Sequence, residues 1–188
     1  LFGSEFAWGV VLFAWLLGVA LGAVAGGRLA EAPPVRRNAA LVLVLVLLAL
    51  SAAACLELWA FRGARGWLGV APGQFLPLAQ TALVALLLVS PASALVGLAF
   101  PLACAVRRDG DAGPPLLTFG QIYAFESAGS LLGGAGFSFW AVEQLSPIQT
   151  ALLCGALTAV AAAGVIRHRR PALRHVLSGL LILVALTA

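Results

Sequence analysis

The residues best placed to do chemistry lie in one apolar run, LTFGQIYAFESAGSLLGGAGFSFWAV, from Leu117 to Val142. Glu126 stands near its middle, and Gln121, Tyr123 and Ser127 are close to it in sequence. An ionisable side chain at the centre of a membrane helix costs about 3 kcal/mol, so it rarely occurs without a partner or a role. This candidate buried polar site has three readings: a structural hydrogen bond, a proton or cation path, or a contact to lipid or another subunit.

The composition predicts that lipid, rather than a soluble core, surrounds this chain. Of its 188 residues, 62% are hydrophobic and only 10% are charged. A soluble domain of this length cannot bury that much apolar surface. Long runs of Leu, Ala and Val favour helical spans, whereas a membrane barrel would show short alternating segments. We therefore expect an all-α, polytopic transmembrane helix bundle embedded in a lipid bilayer.

The apolar runs divide the chain into five complete spans and a truncated sixth, within one domain covering residues 1–188. Pro91 and Pro101 interrupt the third span, and because proline removes a backbone donor, we expect that span to be bent or broken. Two re-entrant halves are the alternative. The chain lacks Met and stops in an apolar run shorter than the ~20 residues of a span, so we expect it to be part of a longer protein. The predicted spans are 6–26, 39–60, 76–106, 117–142, 147–166 and 175–188.

The arginines predict the topology. If every span crosses once, nine of the eleven basic residues share one side, and only Arg62 and Arg65 lie on the other. Positive charge is enriched in cytoplasmic loops, so the arginine-rich side is predicted to be cytoplasmic, with Leu1 outside. A basic segment beside a membrane attracts anionic lipid headgroups rather than nucleic acid. The residues predicted to bind these headgroups are Arg167, Arg169, Arg170 and Arg174.

Glycine spacing predicts which helices pack together. Gly18, Gly22 and Gly26 recur every four residues in the first span, and Gly129 and Gly133 have the same spacing in the fourth. This spacing lines one helix face with small groups and allows a neighbouring backbone to approach closely. We therefore predict that these two spans pack through their glycine faces. Helical spacing also directs Glu126 towards that face, and hence into the bundle.

No catalytic, cofactor or metal site is predicted from the residues. The sequence holds no HExxH, P-loop, paired carboxylates or Ser/His/Asp arrangement. His168 and His175 lie among arginines, which disfavours metal binding. The three cysteines are interpreted as small apolar packing residues, and they are Cys55, Cys104 and Cys154.

Three stretches, taken in order, resemble the multi-span membrane domain of bacterial spermidine-synthase-like (polyamine aminopropyltransferase-like) proteins. They are FGSEFAWGVVLFAWLLGVALGAVAGGRLA, PASALVGLAFPLACA and IYAFESAGSLLGGAGFSF, and they span roughly the first three-quarters of the chain. The positions that match the family pattern in the second and third stretches are Pro91, Gly97, Phe100, Pro101, Leu102, Tyr123, Ala124, Gly129 and Gly133. Where the family commonly has Asn-Thr, this chain has Glu126-Ser127.

The resemblance implies a membrane anchor or scaffold in the bacterial inner membrane that serves a cytoplasmic catalytic domain. That enzyme needs a methyltransferase-like αβ domain with a glycine-rich loop, and these residues contain no such loop. The chain is therefore expected to be part of an aminopropyltransferase-like enzyme only if a separate soluble domain is present.

Two other functions are left open by the sequence. The segment GGRLAEAPPVRR, from Gly26 to Arg37, resembles the basic loop between the second and third spans of major facilitator transporters. Glu126 would then be the cation or proton site of a transporter or channel for polyamines or other organic cations. Alternatively, glycine faces and apolar surfaces would hold the chain as an accessory subunit in a larger membrane assembly.

Overall fold

A computed structural model describes residues 4–69, 77–108 and 115–169, and these residues are almost entirely helical. The described part contains no strand, so the predicted all-α class is confirmed. The elements are α1 (Ser4–Glu31), α2 (Pro33–Arg37), α3 (Ala39–Trp67), α4 (Leu78–Arg108), α5 (Pro115–Gly136), a π-helical turn (Phe137–Ala141), α6 (Val142–Gln144) and α7 (Pro147–Arg169).

Four of these helices are long and apolar enough to cross a membrane: α1, α3, α4 and α7. Large apolar side chains such as Leu12, Leu56 and Leu87 are exposed on their outer surfaces. Helices that expose this much apolar surface are compatible with a membrane-embedded protein. The predicted fourth span corresponds to α5, which is not one of the four, and the predicted sixth span lies outside the described residues.

Helix α4 is one continuous helix that contains both Pro91 and Pro101. The third span is therefore not broken at these prolines, and the alternative of two re-entrant halves is wrong. The predicted bend at Pro91 and Pro101 stays a prediction. The helix continues because its sides are packed against α1 and α3, and tertiary packing outweighs the loss of backbone hydrogen bonds. Between the prolines, the fully buried Ser93 donates a hydrogen bond of 3.1 Å to the carbonyl oxygen of Ser90.

Helices α1 and α4 run parallel and form the most extensive interface in the described structure. The Ser90 hydroxyl donates a hydrogen bond of 3.2 Å to the carbonyl oxygen of Ala14. Further along both helices, a Cβ placed on Gly26 would lie 3.0 Å from the Cα of Leu98. Because the residue numbers of the contacting pairs increase together in α1 and α4, the two helices cross the bundle in the same direction.

Helix α3 runs antiparallel to α4. Leu43 and Val46, near the start of α3, are buried against Leu102, near the end of α4. The order of crossings is thus α1 in one direction, α3 back, and α4 in the first direction again. These alternating directions are those expected if α4 passes through the bundle once.

Helix α7 runs antiparallel to α3 along its other side. Val44 near the start of α3 packs against Ile166 near the end of α7. Further on, the Ser51 hydroxyl donates a hydrogen bond of 3.0 Å to the carbonyl oxygen of Gly155. The start of α7 is capped by Ser146 and Gln149, whose side chains each accept a hydrogen bond from the other's backbone N–H, as in a capping box.

These directions bring arginines from four elements to one end of the bundle. We call this the arginine end; it is formed by the ends of α1, α4 and α7, together with α2 and the start of α3. The described arginines there are Arg28, Arg36, Arg37, Arg107, Arg108, Arg167 and Arg169.

At the opposite end, α3 extends beyond the predicted span. The sequence predicted a span ending at Ala60, but the helix continues to Trp67. The rings of Trp59 and Trp67 meet edge to face at 5.4 Å, which stabilises this last part of the helix. Gly69 then takes a positive φ of 63°, a conformation that suits glycine after a helix end.

Candidate functional site

Helix α5 carries the candidate polar site, and it runs from the arginine end to the opposite end of the bundle. Near its start, Phe119 lines a cavity of about 260 Å³ together with Arg36 and Arg108. Beyond its end, Phe137 in the π-helical turn lines a second cavity together with Glu57 of α3. The helix therefore runs alongside α3 and α4 from one end of the bundle to the other.

The structure does not place the candidate polar residues inside the bundle. Every residue from 123 to 134 is exposed, and so is Gln121. This corrects the expectation that Glu126 projects into the bundle with Tyr123 and Ser127 beside it. The physical reason is that α5 contacts the other described helices mainly along α4, so most of its surface meets no described neighbour.

The glycines of α1 and α5 do not pack together, which corrects the second packing expectation. A Cβ on Gly22 would lie 2.8 Å from the Cα of Ala94 in α4, whereas a Cβ on Gly129 or Gly133 would meet no described atom within 4 Å. Gly97 of α4 in turn contacts the backbone of α1. Glycine spacing permits close approach of a neighbouring helix but does not determine which helix that is. Here the neighbour is α4, which has small residues on the face that meets α1.

The carboxylate of Glu126 has an electrostatic neighbour on α4. Its carboxylate is close enough to α4 to interact with the thiol of Cys104, which is buried. Neither group forms an ion pair within the described residues, and Glu126 is left at mid-helix with an exposed carboxylate. If α5 crosses a bilayer, as the sequence predicts, such a group needs a partner.

A second carboxylate, which the sequence analysis passed over, is the more enclosed of the two. Glu57 of α3 is half-buried, and its Oε1 atom is buried without a hydrogen bond from any described residue. The available signal was a single Glu within the apolar stretch AACLELWAF of a predicted span.

The predicted lipid-binding arginines are described only in part. Arg167 is exposed at the end of α7, and Arg169 closes that helix. Arg170 and Arg174 lie outside the described residues, as does His175. Binding of anionic lipid headgroups remains a prediction.

The remaining candidate groups are dispersed in the part of the chain that the structure describes. Cys104 is buried, while Cys55 and Cys154 are exposed and unpaired. Within residues 4–69, 77–108 and 115–169, no three His, Cys, Asp or Glu side chains gather as they would around a metal ion.

Comparison with known proteins identified no relative of this chain. No family model matches the sequence, and no curated protein or solved structure matches it significantly. The class defined by the fold is therefore an all-α protein with four helices able to cross a membrane.

Proposed function

We propose that this chain is the membrane-embedded domain of a spermidine-synthase-like protein, acting as an anchor and scaffold. The resemblance of three ordered stretches supports the family, and four apolar helices support the membrane location. The coding sequence tests the family directly. It should continue into, or lie beside, a glycine-loop αβ domain; a chain that functions with no such domain would contradict the proposal.

The single observation that supports scaffolding is the exposed face of α5. This face combines the close-approach residues Gly129 and Gly133 with one carboxylate, Glu126. Its occupant is a transmembrane helix that has a small-residue face and a hydrogen-bond donor or basic side chain at the depth of Glu126. A second copy of α5 is disfavoured, because a two-fold contact would bring two Glu126 carboxylates together.

The exposed face of α5 also favours one of the two alternative functions, the accessory subunit, over the other, the transporter. A transporter that uses Glu126 needs this carboxylate inside a polar path, whereas residues 123–134 are exposed on the outside of the described bundle. An accessory subunit needs an outward helix face, which α5 supplies. Assembly with other membrane helices is therefore the better supported use of Glu126.

We further propose that the arginine end faces the cytoplasm of a bacterial inner membrane, following the positive-inside rule. With Cys55, Cys104 and Cys154 replaced by alanine, single cysteines can be introduced as Arg36→Cys or Glu143→Cys. In intact cells, a membrane-impermeant maleimide should label the Glu143→Cys protein at once and the Arg36→Cys protein only after permeabilisation. The reverse labelling would contradict this orientation.

A further inference from the structure

The Glu57 carboxylate lies near the end of the bundle opposite the arginines. It is about 27 Å along α3 from Ala39 at 1.5 Å per residue, close to the far boundary of a ~30 Å hydrocarbon core. Its carboxyl group interacts with the backbone amide of Ala92 in α4. Oε1 nevertheless remains buried without a hydrogen bond from the described residues. A buried acceptor without a donor is costly, on the order of 1–3 kcal/mol and more when charged, so a native structure usually supplies one.

Beside Glu57 is a cavity of about 440 Å³ between α3, the π-helical turn and the start of α7. This volume is within the range of small-molecule sites, about 300–1,000 Å³. The π-helical turn from Phe137 to Ala141 forms part of its wall, and such turns are frequent at functional sites. The cavity is lined by Ala54, Glu57, Leu58, Phe61, Phe137, Val142, Leu145, Pro147, Thr150 and Ala151.

The lining specifies the chemistry of an occupant. Glu57 is the only ionisable residue among the lining residues, and the rest are apolar except Thr150. The Thr150 hydroxyl donates its proton to the Ser146 carbonyl oxygen at 3.1 Å, so its own oxygen can only accept. Phe61 and Phe137 add aromatic rings to the apolar wall. The cavity therefore offers hydrogen-bond acceptors and aromatic rings. An occupant that suits it has a positively charged hydrogen-bond donor and an apolar body.

A metal ion fits this lining poorly. Hard cations need about six oxygen ligands, whereas this cavity offers one carboxylate and one hydroxyl as its polar side chains. An alkylammonium group needs only two or three acceptors and benefits from the apolar wall around its carbon chain.

We propose that this cavity binds a primary alkylammonium group, with its charge on Glu57 and its carbon chain against the Phe61 and Phe137 side. Two sources share this chemistry: the ethanolamine headgroup of a lipid in the adjacent leaflet, and a free aliphatic amine. The site is independent of the α5 face and of the scaffold function.

The test uses n-octylammonium and the neutral isostere n-octanol as probes, titrated calorimetrically into the purified chain in detergent. Octylammonium should bind the wild type, and octanol should bind at least tenfold more weakly. Glu57→Gln preserves the shape of the side chain but removes its charge, and it should weaken octylammonium binding at least tenfold. Glu143→Gln removes an exposed carboxylate at the same end of the bundle and should leave binding unchanged.

The two sources are then separated in nanodiscs. If the natural occupant is a lipid, phosphatidylethanolamine should compete with octylammonium and should remain bound in native mass spectra, whereas phosphatidylglycerol should do neither. If it is a free amine, octylammonium should bind equally in both lipids. Equal binding of octanol and octylammonium to the wild type would overturn the proposal without any variant, and so would unchanged binding by a folded Glu57→Gln protein.

Discussion

Replacing Gly22 by alanine is expected to lower the free energy of unfolding by about 2 kcal/mol, since overpacking a tight interface typically costs 1–3 kcal/mol. The added Cβ would lie 2.8 Å from the Cα of Ala94 and closer still to its carbonyl oxygen. Both contacts are to backbone, so α1 and α4 must move apart along the largest interface of the bundle. Reversible unfolding of the purified chain in mixed micelles, followed by circular dichroism, measures the change.

Gly27→Ala is the matched control, because Gly27 lies on the same helix and a Cβ there would meet nothing within 4 Å. Alanine is favoured over glycine in a helix by about 1 kcal/mol in both variants, so their difference isolates the packing cost. Gly27→Ala should therefore be as stable as the wild type or slightly more stable. Equal stability of the Gly22→Ala and Gly27→Ala proteins would show that α1 does not depend on close contact with α4.

Replacing Glu126 by leucine is expected to change stability and assembly in opposite directions. With α5 in the bilayer, as proposed, the exposed carboxylate costs about 3 kcal/mol, so its removal should stabilise the isolated chain in lipid by up to that amount. The same change removes the group that a partner helix would hydrogen-bond, so co-purification with the partner at fixed stoichiometry should be lost. Unfolding in bicelles and quantitative pull-down from native membranes provide the two measurements.

Two further variants make this result specific to the α5 face. Gly133→Leu should also abolish the complex without destabilising the isolated chain, because a Cβ there would have no described atom within 4 Å and the residue lies on an exposed face. Leu16→Ala alters an exposed residue of α1 and should leave the complex intact. A photo-crosslinker at Leu131 should join the chain to its partner. A crosslink to residues 175–188 of the same chain, or a fall in stability of Glu126→Leu, would contradict the proposed partner.

Glu126 and Glu57 illustrate how differently sequence and structure rank two similar residues. The sequence singled out Glu126, because it stands in the middle of an apolar run beside regularly spaced glycines. The structure exposes that residue and instead encloses Glu57, whose surroundings come from α4, the π-helical turn and α7. Those segments are far from Glu57 along the chain, so local pattern could not reveal the cavity.

The sequence by itself determined that this protein is helical and apolar enough for a membrane, since composition and hydropathy are properties of the chain. Only the tertiary structure decided that α4 continues through both of its prolines, because packing against α1 and α3 supports it. Only the tertiary structure decided that Gly18, Gly22 and Gly26 face α4 rather than α5. Small residues allow two helices to approach closely wherever they occur. The packing energy that holds the helices together comes from surfaces that are complementary in shape. The face of α4 from Ser90 to Leu98 provides that match, and its position against α1 exists only in the folded bundle.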